Sequence, residues 1–310
     1  MNILLDYFFP ITTIEPTPQA NTSFLKQVLV VALAKDGQTK GVVTEHTSQT
    51  TIAVKTDNLD AQQLLNAGMP KIYLLLVDTL DLVAAAIAGK ENDFYTILIS
   101  SDYDDAALAA LDVGQFKGVV GVSSATDATT EAQAFLPNRI GFHATVTNKA
   151  KNLFYAVGKL LSNASSWRNQ QYITMPFADD VNTVGKANGY FDEKVSFVIQ
   201  DTQYGSRLAL FAAGGKAIVA PYIKKNLEID FQSAALTYIS ANQPQYTNKE
   251  AALIEDELQK VIDRYIEREW IEAGTVSVKL FNNNWVATAE MNISEPSALW
   301  KIEGEMEQTL

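Results

Sequence analysis

Apolar and polar positions alternate along the chain in two rhythms. Lys71 to Val77, with Ile72, Tyr73, Leu74, Leu75, Leu76 and Val77 in succession, is the continuous apolar run of a parallel strand covered on both faces. Phe94 to Ile99, Val119 to Val122 and Ile140 to Val146 read as strands of the same sheet. Between them lie helical stretches: Asp78 to Gly89, Asp104 to Leu111, Thr129 to Leu136 ended by Pro137, and Lys149 to Leu161 with Leu153, Val157, Leu160 and Leu161 at core spacing. Strands that alternate with helices predict an α/β fold with a doubly wound, mostly parallel sheet.

The pattern changes on either side of this core. Val28 to Ala34, Gly41 to Thr44 and Thr51 to Val54 predict short strands, preceded by an extended lead-in around Pro10, Pro16 and Pro18. Tyr172 to Met175 and Val195 to Ile199 are further strand candidates. A long helix is predicted from Asn248 to Ile271, opened by the capping-box sequence Thr247-Asn248-Lys249-Glu250 and stopped by Gly274. Ile254, Leu258, Val261, Ile262, Tyr265 and Ile266 form its apolar stripe. Val276 to Leu280 and Trp285 to Ala289 predict a hairpin around Asn282, Asn283 and Asn284, too small to be stable alone. Beyond Glu295-Pro296, Trp300, Ile302 and Met306 alternate with Lys301, Glu303, Glu305 and Glu307, which is period-two strand patterning. Such a strand needs an edge to join, in its own domain or in a neighbouring subunit.

Composition narrows the function. The 310 residues include 24 Lys and Arg against 36 Asp and Glu, a formal net charge of −12. That field repels phosphate backbones and anionic surfaces, and the basic residues are scattered, so direct contact with nucleic acid or membrane is not expected. The absence of cysteine excludes disulfides, thiolate metal sites and cysteine nucleophiles. Met1 to Pro10 is apolar but carries Asp6 and no basic leader, and no stretch reaches membrane-span length, so a soluble, unsecreted protein is expected.

Chemical motifs are sparse. No G-x-G-x-x-G follows a strand, no phosphate-loop motif occurs, and no G-x-S-x-G elbow is present. Gly214-Gly215-Lys216 reads as a tight turn near the core. His46 and His143 lack metal-ligand spacing and read as structural or surface histidines. Asp102, Asp104 and Asp105 follow a strand end, where α/β sheets place ligand loops, yet helix capping explains them without an ion. Asp179-Asp180 and Asp201 likewise read as loop and cap residues. No catalytic, cofactor-binding or metal-binding residue is expected.

Four stretches stand out when read together: Phe94-Tyr95-Thr96-Ile97-Leu98-Ile99-Ser100-Ser101-Asp102; Trp167-Arg168-Asn169-Gln170-Gln171-Tyr172 leading to Met175-Pro176; Phe211-Ala212-Ala213-Gly214-Gly215-Lys216-Ala217 with Pro221-Tyr222-Ile223; and Glu269-Trp270-Ile271-Glu272-Ala273-Gly274 before the hairpin. In this order they give the chain a resemblance to the sheath proteins of contractile phage tails and related injection machines. The resemblance covers roughly residues 70 to 310, in order and texture. It implies an α/β core with β elements from both chain ends, hexameric rings stacked helically around a tail tube, and contraction that drives the tube through a cell envelope. Terminal arms would add strands to neighbours' sheets.

On that basis the expected organisation is an N-terminal arm over 1–23, an N-terminal β segment over 24–70 packed with the C-terminal part, an α/β core over 71–170, a C-terminal α+β sheath-like domain over 171–294 with the long helix and the hairpin, and a C-terminal arm strand over 295–310. The expected subunit-interface residues are Ile3, Leu5, Tyr7 and Phe9 in one arm, Trp300, Ile302 and Met306 in the other, and Val276, Val278, Leu280, Val286 and Thr288 in the receiving hairpin. The implied partners are other copies of the chain, the tube protein, and baseplate and tail terminator proteins, in a virion tail assembled in the host cytoplasm. Two alternatives stand beside it. One is a small-molecule-binding or enzymatic α/β protein with a site near Ser100–Asp105 and Ser123–Asp127. The other is a tube or baseplate component.

Overall fold

A computed structural model describes residues 22–57, 59–90, 93–100, 116–148, 150–162, 173–203, 205–245, 247–281 and 286–294. The chain divides into two compact units, one built from 27–218 and the other, among the described residues, from 22–26 with 219–294.

The first unit begins with β1 (Val28–Leu33) and β2 (Val43–His46), followed by the short helices α1 (Gln49–Ala53) and α2 (Gln62–Asn66). Next come β3 (Ile72–Val77), a 3-10 turn at Leu80–Leu82, α3 (Val83–Ile87), β4 (Thr96–Ile99) and β5 (Val119–Ser124). Then follow α4 (Asp127–Ala134), β6 (Arg139–His143), α5 (Lys151–Ser162), α6 (Val184–Asp192), β7 (Phe197–Asp201), β8 (Gly205–Leu210), β9 (Ala212–Ala213) and β10 (Lys216–Ala217). A six-stranded sheet runs in the order β2-β3-β1-β4-β5-β6, parallel throughout except for the antiparallel edge strand β2. Strand order reverses at β1, with β3 and β2 on one side of it and β4, β5 and β6 on the other.

Burial explains the apolar runs. Leu29 and Val31 pack with Leu75, Val77, Ile97, Ile99, Val120 and Val122 on one face, where Val83 and Ile87 of α3 join them. The intervening residues Val28, Val30, Leu74 and Leu98 are buried on the other. There α5 presses close: a Cβ at Gly121 would lie 2.5 Å from Leu98 Cδ2 and 3.3 Å from Leu153 Cδ2. One at Gly158 of α5 would lie 2.6 Å from Ala67 Cβ, so glycine permits the α2–α5 approach. Gly214 and Gly215, with φ of 56° and 75°, form the two-residue turn between β9 and β10, as their sequence predicts.

The second unit contains a 3-10 turn at Thr22–Lys26, α7 (Val219–Asn242), α8 (Asn248–Glu267), β11 (Ala273–Phe281) and β12 (Val286–Ser294). The apolar stripe of α8 is buried at Ile254, Leu258, Val261, Ile262 and Tyr265. β11 and β12 form an antiparallel hairpin over nine register pairs, longer than the sequence suggests.

Several expectations are corrected. Thr51–Val54 is no strand: Ser48 caps a helix over Gln49–Ala53 by accepting from Thr51 N at 3.4 Å, and the β-branched run is overridden. Asp78–Gly89 is reduced to the 3-10 turn and α3. Within Tyr172–Met175, Tyr172 lies outside the described residues and Thr174 makes a single bridge to Arg207. α8 stops at Glu267 rather than at Gly274, because Glu269 takes the left-handed conformation (φ 58°) and Gly274 belongs to β11. Half of its capping box forms. Thr247 Oγ1 accepts from Glu250 N at 3.2 Å, while the Glu250 carboxylate accepts from Tyr238 Oη at 3.4 Å. The helix expected at Asp104–Leu111 lies outside the described residues.

Candidate functional site

The hairpin expected to receive strands is held by α8 in a specific way. Residues 255 and 259 are four apart on one helix face, which separates them by roughly 6 Å along the axis. Alternate residues of a strand repeat at roughly 6.8 Å. That match lets two side chains replace a missing strand. Glu255 Oε2 accepts from Val278 N at 2.8 Å, and Gln259 Oε1 accepts from Val276 N at 3.1 Å. Gln259 Nε2 donates to Gly274 O at 3.2 Å and to Asp263 Oδ1 at 2.9 Å. These backbone groups lie on the side of β11 away from β12. The outer edge of β11 is thus engaged by a helix, one of the ways proteins cover an edge. Among the described residues β12 pairs with β11 alone.

Register separates the expected interface residues of the hairpin. Val276, Val278 and Leu280 stand opposite Met291, Ala289 and Ala287, while Val286 and Thr288 stand opposite Phe281 and Lys279, at positions of the other parity. Val276 is buried, at 7 % exposure, and Val278 is half-buried. Ile3, Leu5, Tyr7, Phe9, Trp300, Ile302 and Met306 lie outside the described residues, as do Ser101 to Asp105 of the acidic loop. Ser100 is buried, and its N–H donates to Val31 O at 3.0 Å.

A second constellation, in the first unit, joins residues that the sequence holds far apart. His143 ends β6, and its N–H donates to Ser196 O at 2.8 Å. Asp179 and Asp180 sit on a loop tied down by Asn152 Nδ2, which donates to Phe177 O at 3.2 Å, and by Gln200 N, which donates to Val181 O at 2.8 Å. Asp127 opens α4, just beyond β5, and Tyr190 comes from α6. His143 Nε2 lies 2.9 Å from Asp180 Oδ1 and 3.8 Å from Asp179 Oδ1. Its Nδ1 lies 3.0 Å from Tyr190 Oη, and that hydroxyl donates to Asp127 Oδ1 at 2.7 Å. The imidazole stacks on the Tyr190 ring at 4.6 Å between centroids.

Environment sets the two neighbouring carboxyls apart. Burial pushes Asp179 up to about 6. Burial acts the same way on Asp180, but hydrogen bonds from Lys186, at 2.5 Å, and from His143 outweigh it and hold that carboxyl down at about 2. Burial, then the bond to Asp127, raises the Tyr190 hydroxyl, so it remains a donor. His46, by contrast, is satisfied within the core: its ring nitrogens lie 2.9 Å from Thr44 Oγ1 and 3.0 Å from Thr51 Oγ1. The sequence identifies each of these residues but gives no signal that His143 and the aspartates converge.

No protein-family model and no curated protein matches the sequence. Solved structures do match its fold over nearly the whole length. A chain of the anti-feeding prophage baseplate aligns with a TM-score of 0.67 and 12 % identity, over 96 % of this chain and 97 % of that one. A chain of the contracted PVC sheath complex, an extracellular contractile injection system, aligns with a TM-score of 0.65 and 9 % identity over 96 % of each. A chain of the contracted anti-feeding prophage helical sheath aligns with a TM-score of 0.63 and 12 % identity, over 96 % of this chain and 99 % of that one. The chain therefore has the fold of contractile injection system sheath proteins.

Proposed function

We propose that this chain is the structural subunit of a contractile sheath, of a phage tail or of a related injection system, and acts without catalysis. Subunits stack as hexameric rings in a helix around a tail tube, and contraction drives the tube through a cell envelope. Its doubly wound body carries extended terminal arms, and Ile3 to Phe9 and Trp300 to Met306 add strands to neighbouring subunits. The observation that most supports the reading is the fold match, which spans nearly all of this chain and nearly all of each sheath chain. The hairpin supports it independently: with β11 engaged by α8, β12 is the edge on which an arm would pair. Baseplate and tail terminator proteins are the partners expected at the two ends. The hinge-like arms would let subunit bodies rotate between loose and tight packings without separating.

Electron microscopy of the purified protein tests the proposal, with rods or stacked rings as the expected result. Ile302→Pro removes a ladder donor and fixes φ in the middle of the added strand, so it should leave a folded subunit that forms no rods. Glu303→Gln, on the polar face, should assemble as the parent does. A monomer that never polymerises would overturn the sheath assignment. Normal rods from Ile302→Pro would overturn strand exchange by this arm alone.

A further inference from the structure

The polar cluster at the end of β6 has the parts of a cation site, and it stands independently of the assembly proposal. One ligand atom each from His143, Asp179 and Asp180 lie within 4.8 Å of one another. A tetrahedral site with metal–ligand distances near 2.1 Å spaces its ligand atoms by roughly 3.4 Å. The separations of 2.9 Å and 3.8 Å from His143 Nε2 to the two aspartates fall on either side of that spacing, so small side-chain shifts complete it.

Three further observations point to a ligand. The Asp179 side chain is fully buried, and its Oδ2 has no hydrogen-bond partner. A buried carboxylate oxygen without a partner is costly unless a cation or donor meets it. The far nitrogen of the imidazole is already engaged by Tyr190, which is itself fixed on Asp127, the arrangement that orients a histidine for coordination through its other nitrogen. Finally, Lys186 holds Asp180 by Oδ2 and leaves Oδ1 facing the ring, and Asp180 is half exposed, which gives a cation and its water ligands access.

We propose that His143, Asp179 and Asp180 bind a divalent transition-metal cation, with zinc favoured and manganese weaker. One imidazole and two carboxylates suit these borderline ions better than calcium or magnesium, and zinc precedes manganese in intrinsic affinity. Such a cation would join the loop at 177–181 to the end of β6.

Calorimetric titration of the untagged full chain, stripped with EDTA and desalted, tests the site with zinc chloride, manganese chloride and magnesium chloride. One saturable zinc site is expected, with weaker manganese binding and no magnesium response. His143→Gln should abolish it, and Tyr190→Phe should weaken it about 10–100-fold through loss of the orienting partner. Asp180→Asn, at the exposed end of the cluster, tests a ligand with little risk to folding and should weaken zinc at least about tenfold. In the unmodified protein, zinc should shift the ring resonances of His143 and leave those of His46 in place. Absence of saturable zinc binding, parental affinity in His143→Gln, or a response confined to His46 would each overturn the proposal.

Discussion

Removing the side chains that occupy the outer edge of β11 should loosen one strand and expose it to the wrong partner. Gln259→Ala deletes the acceptor for Val276 N and the donor to Gly274 O, two neutral hydrogen bonds at 3.1 Å and 3.2 Å. At about 1 kcal/mol net for each, reduced by partial solvent access, the local loss should be about 1–2 kcal/mol. Glu255→Ala deletes one charge-assisted bond at 2.8 Å, and its half-exposed setting holds that loss to about 1–2 kcal/mol as well. A loss of that size raises the population of the open edge about 5–30-fold. Hydrogen exchange of residues 273–281 reads it directly. Val276 N–H should lose protection in Gln259→Ala and Val278 N–H in Glu255→Ala, whereas Glu257→Ala should change neither. Glu257 lies on the same helix but pairs with Lys260 at 2.5 Å. The double variant frees the edge and should aggregate irregularly, as open edges do. Parental protection of Val276 and Val278 in the double variant would refute the claim that these side chains stand in for a strand.

Other consequences are equally open to measurement. Gly158→Ala places a methyl 2.6 Å from Ala67 Cβ and should cost about 1–3 kcal/mol in chemical denaturation, partly recovered by adding Ala67→Gly. No recovery would place the strain elsewhere. Burial, then the charge of Lys55, lowers the pKa of His46, so the fold favours its neutral form. The unfolded chain then takes up the proton first. Stability contributed by His46 is present above the unfolded histidine pKa of about 6.5 and is lost as pH falls through the lowered folded value. Urea midpoints followed from pH 7.5 downward should therefore fall less steeply in His46→Gln than in the parent, and parallel slopes would contradict this.

Local pattern alone determined much of this protein. Runs such as Ile72–Val77 cannot be solvated on either face, so they specify parallel strands between covering layers, and β3, β4 and β5 form where the runs lie. The stripe of α8 likewise needs only its own spacing, and the Thr247 cap works through neighbours three residues away. Tertiary structure decided the rest. α7 buries Asn226, Glu228 and Gln232 beside Leu227 and Phe231, so it shows no single stripe, and Pro221 near its start disguises it further. Thr51–Val54 follows its cap and its surroundings rather than its β-branched residues. The register of β11 against β12 sets which expected interface residues share a parity, and a helix whose contacting residues lie 15 to 23 positions upstream covers the strand's edge. Asp127, His143, Asp180 and Tyr190 are ordinary loop, strand and helix residues one by one. Only the pairing of β6 with the segment at Ser196, and the anchoring of the loop before Val181, bring them within hydrogen-bonding reach. Strand and helix patterns repeat within a few residues and are written locally, but contacts across tens of residues depend on how the layers pack, which no short window of sequence contains.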